Sequence, residues 1–253
     1  MAVLGIDIGG SGIKGALVDV EKGVLLTERT RLPTPPGAKP EDVTGVVKQL
    51  VQLFQWQGVI GVGFPAVIRN GVVMTAANIH PSWIGVNAEQ LFRDVTGNAV
   101  HAINDADAAG IAEMEFGAGK GYKKGVVVLL TIGTGIGSAI FVDGTLLPNS
   151  EFGHLQIRGK DAEKRASGAA RQKKNLSWED WSKRLQELLS EMEKLLAPDV
   201  FILGGGVSKQ ADRFFPYLKT NARLISAQFL NQAGIIGAAI YADKKISTAG
   251  GNA

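Results

Sequence analysis

The sequence predicts an α/β protein made of two similar domains that face each other across a cleft. Three observations carry this reading. The chain has 253 residues, 45% apolar and 20% charged, which suits one large or two modest globular domains. Short apolar strands alternate along it with amphipathic helices and glycine-rich turns. Finally, DIGGSGIKGALVD (residues 7–19) aligns with TIGTGIGSAIFVD (131–143). Both stretches read as strand, turn, strand, and Ile8/Ile132, Gly9/Gly133, Val18/Val142 and Asp19/Asp143 are identical. Two glycine-rich hairpins can also match by chance, so the duplication is an expectation for the structure to meet.

Residues 2–8 are apolar and read as a buried strand; 9–12 turn, and 13–20 return as a second strand. Glu21-Lys22-Gly23 turns the chain into a third strand over 24–31, and the proline-stiffened 33–40 follow as a loop. Val43, Val46, Val47, Leu50, Val51 and Phe54 recur at helical spacing. A strand over 59–64 ends at Pro65, and a hairpin turns at Arg69-Asn70-Gly71. Asn87 suits the cap of a helix carrying Leu91, Phe92 and Val95, which Gly97 stops. A strand over 100–103 enters an alanine-rich helix over 105–116 directly.

The second half repeats the plan, with strands over 125–131 and 138–142 around a turn at 133–137. Ser177 and Asp180 approximate a capping box for a helix reaching Leu196. Its stripe of Trp178, Trp181, Leu185, Leu188, Met192 and Leu195 belongs to a core or a subunit interface. A strand over 200–203 precedes Gly204-Gly205-Gly206, and a small-residue helix covers 232–242. The tail, 247–253, reads as disordered.

Composition excludes several classes. No cysteine is present, so disulfides, thiolate nucleophiles and Cys-ligated zinc are impossible, and a reducing cytoplasm is the expected compartment. No apolar run is long enough for a membrane span, and no export signal is legible. The net charge of +3 gives no argument for nucleic acid. The positive excess lies in the second half, with seven Lys or Arg between Arg158 and Lys174. Such a run reads first as a solvated face and second as a guide for a polyanion.

Gly10-Ser11-Gly12-Ile13-Lys14-Gly15 matches G-x-G-x-x-G literally. A dinucleotide site needs a helix after those glycines, and here β-branched residues favour a strand. The turn therefore reads as a phosphate cradle in which glycines let backbone N–H groups approach anionic oxygens and Lys14 adds charge. Asp7 suits a Mg2+ held through water. Thr131, Gly133, Thr134 and Gly135 offer a second cradle. Asp105 follows a strand directly and could take a proton from a hydroxyl, although Asn104 or Asp105 could equally cap the helix. Glu151 and His154 suit sugar hydroxyls; as a metal pair they lack a nearby third ligand in sequence.

Together DIGGSGIKG, NDADAAG, TIGTGIGSA, EFGH and LGGGVS resemble the ROK (repressor, open reading frame, kinase) sugar kinases of the actin-like ATPase superfamily. TAANIHPSWIG, LPNSEFGHL and AEKRAS resemble the polyphosphate-using branch of that family, including the glucomannokinase type. The resemblance implies an actin-like (ribonuclease H-like) duplicated fold with domains at 1–103 and 104–231, and helix 232–243 packed back on the first. It implies phosphoryl transfer from polyphosphate, ATP or both, with Mg2+, to the 6-hydroxyl of glucose, or of mannose. Asp105 would be the general base. Asn78, Asn104, Glu151, His154 and Glu163 would bind the sugar. Asp7, Gly9, Gly10, Ser11 and Lys14 would form one phosphate loop; Thr131, Gly133, Thr134 and Gly135 the other. Gly204 and Gly205, with Gly206, would flank the donor. A homodimer is expected.

Two departures from the family pattern stand out. Members with a Cys-rich zinc site carry it just before the residue matching Glu163, and this chain has no Cys, so zinc is not expected. Ala66 stands after Pro65 where glycine is usual. A sugar-sensing regulator would need a helix-turn-helix ahead of the first hairpin, which starts at residue 7. A filament-forming ATPase would have no use for the EFGH loop.

Overall fold

The computed structural model describes residues 1–250. The chain divides into two compact units, Met1–Ala112 with the chain from Gln232 onward, and Glu113–Asn231. Each is built on its own sheet.

The first unit begins with β1 (Ala2–Gly9) and β2 (Gly12–Asp19), an antiparallel hairpin closed by Gly10-Ser11. Then come β3 (Val24–Leu25), β4 (Thr30–Leu32), α1 (Pro40–Leu53), β5 (Ile60–Phe64), β6 (Ile68–Arg69), β7 (Val72–Val73), α2 (Ala88–Thr96), β8 (Val100–Asn104) and α3 (Asp105–Glu115). The sheet runs β3-β2-β1-β5-β8, with β4 also on β2, and β5 and β8 add in parallel to β1. Side chains alternate across a strand. Leu4, Ile6 and Ile8 therefore share one face, packed with Val43, Val47 and Leu50 of α1, Phe92 of α2, and Trp83. Trp83 meets Phe64 edge-on at 4.8 Å, and its indole N–H donates to the Ala38 carbonyl at 2.9 Å.

In the second unit come β9 (Val126–Ile132), β10 (Ile136–Val142), β11 (Thr145–Leu147), β12 (Gln156–Ile157), β13 (Lys160–Asp161), α4 (Ala162–Ala166), α5 (Gly168–Lys173), α6 (Trp178–Leu196), β14 (Val200–Gly204) and β15 (Arg223–Ser226). Its sheet order, β11-β10-β9-β14-β15, repeats that of the first unit strand for strand, with two antiparallel pairs followed by two parallel additions. The duplication read from the two hairpins thus extends to sheet topology. The hairpins differ in one detail: Ile8 faces Ile13, whereas Ile132 faces Ile136, so the second turn closes one residue sooner.

The last element, α7 (Ala233–Gly250), belongs to the first unit and lies on its sheet. Contact is at backbone distance. A Cβ on Gly5 would stand 2.1 Å from the Ile235 carbonyl oxygen, and one on Gly61 2.0 Å from that of Ala238. Only glycine admits a helix this near a strand.

Several sequence expectations change. The strand expected over 24–31 is broken into β3 and β4. The Leu17 amide donates to the Thr27 hydroxyl at 3.1 Å, and the strand bulges around it before β4 resumes pairing at Gly15. The α6 stripe is core, not a subunit face: Trp181, Leu185, Leu188 and Met192 are fully buried, while its last member, Leu195, is exposed. The division between units falls inside α3, not at residue 103, because Ala108 packs against Gly237 of α7 within the first unit. The tail expected without structure from Ser247 continues α7 as far as Gly250, since Ala242-Asp243-Lys244-Lys245 favour helix; 251–253 lie outside the described residues. Asn87 and Ser177 cap α2 and α6 as expected, and Gly97 ends α2 with φ of 70°.

Two glycine substitutions separate seam from surface. Gly61→Ala is expected to destabilise by about 1–3 kcal/mol through overpacking. Gly45→Ala, exposed in mid-α1 with open space around it, is expected to stabilise by about 0.5–1 kcal/mol. Urea unfolding midpoints check both signs.

Candidate active site

In the first unit the β1–β2 turn presents Gly9, Gly10 and Ser11. Asp7 and Lys14 face each other across the hairpin, and the Lys14 ammonium lies 3.0 Å from Asp7 Oδ2. Two residues that the sequence reading missed brace this turn: the Arg31 guanidinium donates to the Ser11 carbonyl, and the Thr34 hydroxyl to that of Gly9. Register across β2–β4 explains Arg31, which pairs with Lys14. No local motif announces either.

The Gly10 backbone is the most open part of the turn. A Cβ there would meet nothing within 4 Å, and its φ is not left-handed. Gly133, in the corresponding turn of the second unit, is equally open. Neither packing nor backbone strain demands glycine at these positions, so their backbone amides stand open to approach.

Asn104 and Asp105 stand where β8 becomes α3. Asn104 is the cap. Its Oδ1 accepts from the amides of Ala106 at 2.9 Å and Asp107 at 3.1 Å, and its Nδ2 donates to the Ala66 carbonyl at 3.2 Å. It is buried, so it anchors the helix start. Asp105, half-buried, accepts from the Ala106 amide at 2.8 Å. The capping role that sequence left open between the two residues thus falls to Asn104. Asn78 is exposed in the segment before the turn Pro81–Trp83, which His80 caps by accepting from the Ser82 amide at 3.2 Å.

The second unit gathers Glu151, His154 and Glu163. The Ser138 and Ser150 hydroxyls donate reciprocally to each other's carbonyls at 2.8 and 2.9 Å, and the Phe152 amide donates to Ser138 Oγ. These bonds hold the loop to β10. Gly153 sits where a Cβ would be 2.0 Å from the Ile136 carbonyl oxygen. Glu163, on α4, accepts from the Ile136 amide at 3.4 Å, just beyond the turn 133–135. The acidic cluster and the glycine turn therefore meet at Ile136, the first residue of β10. Burial raises the Glu151 pKa above its ordinary value; Glu163 adds to the shift and His154 opposes it.

A third potential ligand beside His154, absent from the local sequence, is supplied by the fold. The β12–β13 hairpin returns Asp161 to His154, and His154, Asp161 and Glu163 place ligand atoms within 4.8 Å of one another. Asp161 Oδ2 already pairs with Lys164 at 2.7 Å, so a cation there would have to displace a lysine.

Thr131 ends the β9 ladder opposite Gly204, and Gly205 (φ 78°) turns the chain against Ile132. Gly133, Thr134, Gly168, Gly206 and Gln210 line one cavity of about 280 Å3.

A sheet duplicated in this way, with a glycine turn at the end of each leading hairpin, defines the actin-like class of phosphate-handling folds. The chain matches the ROK family over residues 3–169 and belongs to it. A polyphosphate glucokinase of Mycobacterium tuberculosis is 47% identical over 237 residues, 93% of this chain and 89% of that protein. The inorganic polyphosphate/ATP-glucomannokinase of Arthrobacter sp. strain KM, a crystal structure, superposes with a TM-score of 0.93 at 47% identity, covering 96% of this chain and 99% of that one. A ROK family glucokinase of Streptomyces griseus, in complex with glucose and AMPPNP, gives 0.81 at 25% identity, covering 96% and 100%.

Gly10→Ala and Gly133→Ala are expected to keep the wild-type melting temperature while raising donor KM about tenfold, because the new methyl would stand where the ligand approaches. Steady-state kinetics beside thermal melts check this. Glu151→Gln is expected to raise the melting temperature at pH 7.5. Burial penalises the ionised carboxyl, and that penalty disappears as pH falls through the raised folded pKa. The advantage of the variant should therefore shrink towards pH 4.5, which paired melts measure.

Proposed function

We propose that this protein is a hexokinase-type phosphotransferase that moves the terminal phosphoryl group of inorganic polyphosphate or ATP to the 6-hydroxyl of glucose, with mannose as the alternative acceptor. The observation that carries the reading is the division of labour where β8 meets α3. Asn104 caps the helix, so Asp105 is not required as the cap. A carboxylate at the carboxyl end of a parallel strand is where α/β sheets bind ligands.

In the proposed reaction the sugar O6 attacks the terminal phosphorus of the donor. The O6–P bond forms as the bond from that phosphorus to the bridging oxygen breaks. The bridging electron pair leaves with the shortened donor, and the hydroxyl proton passes to Asp105. Such a transfer is loose, so positioning and charge stabilisation supply most of the rate. Backbone N–H groups at Gly9, Gly10, Ser11, Gly133, Thr134 and Gly135, the Thr131 hydroxyl and Lys14 are the proposed donor contacts. Gly204 and Gly205 flank them. Asn78, Glu151, His154 and Glu163 are assigned to sugar hydroxyls, and Asn104 to holding Asp105 in place.

Mg2+ is the proposed ion. Asp7 is a hard oxygen donor with one oxygen already neutralised by Lys14, which suits a hydrated ion held through water. When bound, the ion would neutralise donor phosphate charge. Asp7 would orient its water shell. Among the described residues no helix is long and apolar enough to cross a membrane. A cytoplasmic location and a homodimer complete the proposal; the α6 stripe, being core, does not supply the dimer face.

Asp105→Asn is expected to cut glucose 6-phosphate formation at least about a thousandfold while leaving glucose affinity within about threefold, since the amide keeps the shape but cannot accept the proton. A coupled assay with each donor separately, and glucose binding by calorimetry, check it. Full turnover by the variant would refute the assignment.

A further inference from the structure

Arg171 lies in the cavity beside the 133–135 turn, and the reading of the site above does not use it. Its position is fixed by short-range bonds. Ser167 caps α5 by accepting from the Ala170 amide at 3.1 Å, and the Ala169 amide donates to the Gly133 carbonyl at 3.1 Å. The helix carrying Arg171 is thereby fastened to the turn itself. The guanidinium carbon lies 3.7 Å from the centroid of the Trp178 ring, and Phe214 stacks on the same indole at 5.9 Å.

Arg171 is partly exposed, and one of its donors is buried and unmet. Among the described residues Arg171 has no carboxylate partner, and its Nε is buried without a hydrogen-bond acceptor. The Arg165 Nε is buried and unmet as well, but Arg165 and Arg158 both pair with Glu187, a carboxylate that Arg171 lacks. A buried guanidinium donor without a partner is costly, and the acceptor that suits its planar fork is a carboxylate or phosphate oxygen. Stacking on Trp178 pre-orients the fork and makes the site more than a mobile surface charge. It also occupies a face of the Trp178 indole. The remaining lining, Thr134, Gln172 and Gln210, offers hydrogen bonds.

We infer that Arg171, laid on Trp178, is a donor-specificity residue that binds a non-reacting phosphate of an inorganic polyphosphate chain and so favours that donor over a nucleoside triphosphate. This rests on the kinase reading and deepens it: beyond the phosphates common to both donors, a polyphosphate continues with anionic oxygens where a nucleotide continues with sugar and base. The surroundings of Lys174 point the same way. Arg184, Lys160 and Lys173 are near enough to act on it, as is the Glu187-paired Arg165, and the three unpaired with Glu187 extend positive charge around α5.

The test compares donors in one preparation, with tripolyphosphate and ATP supplied separately to wild type, Arg171→Gln and Arg171→Lys. The expected result for Arg171→Gln is a KM increase for tripolyphosphate at least tenfold larger than the increase for ATP. Arg171→Lys, which keeps charge but loses the fork, should fall between. Calorimetric titration of tripolyphosphate without sugar should show the same tenfold weakening. Equal shifts for the two donors, a larger shift with ATP, or a wild-type enzyme that uses ATP alone would overturn the inference and leave the kinase reading standing. If wild type phosphorylates glucose with neither donor, the kinase reading falls, and the calorimetric comparison still decides Arg171. Should Arg171→Gln melt early, Arg171→Lys carries the comparison.

Discussion

A backbone amide can grip an anionic oxygen only where no side chain stands between them. Under the proposed function, that constraint shapes the leading hairpin of each unit. Gly10 and Gly133 have room for a methyl group and ordinary backbone angles, yet neither carries one. The rest of each unit keeps these turns in place. The first is braced by Arg31 and Thr34 from the β4 edge, the second by Ala169 and Glu163 from the short helices that follow. The supports differ while the turns correspond, as expected when two copies of one plan have specialised around a common task.

Polar side chains in the second unit fasten more than they display. Ser138 and Ser150 bind each other's backbone, and Glu163 reaches Ile136. Such bonds hold a loop to a strand at the tolerance that chemistry on a hydroxyl demands, because a misplacement of about 1 Å can cost a hundredfold in rate. Arg171 is different, since an aromatic ring and not a hydrogen bond orients it.

Much of this was legible in the sequence. The caps at Asn87 and Ser177, the stop at Gly97 and the α6 stripe follow from rules that act within one or two helical turns. The hairpin pair gave away the duplication because its strand-turn-strand pattern survives even where few residues match and the second turn is one residue shorter. What escaped notice depends on partners remote in sequence. Thr27 takes a strand bond from Leu17, Arg31 arrives at Ser11 through β-register, and Asp161 comes back to His154 by way of a hairpin. The capping choice between Asn104 and Asp105 was undecidable from spacing because both residue types cap well; the Ala66 carbonyl, far along the chain, settles it by holding the Asn104 amide.

The seam between α7 and the first sheet has a consequence for how the protein is made. The strands of that sheet and the helix that covers it are separated in sequence by the whole of the second unit. The second unit is continuous in sequence and can collapse once Asn231 has emerged, while the older half of the nascent chain still leaves Gly5 and Gly61 uncovered. The opening strands therefore gain their cover only after α7 has been made, so closure of the older unit waits on a segment that lies beyond the younger one.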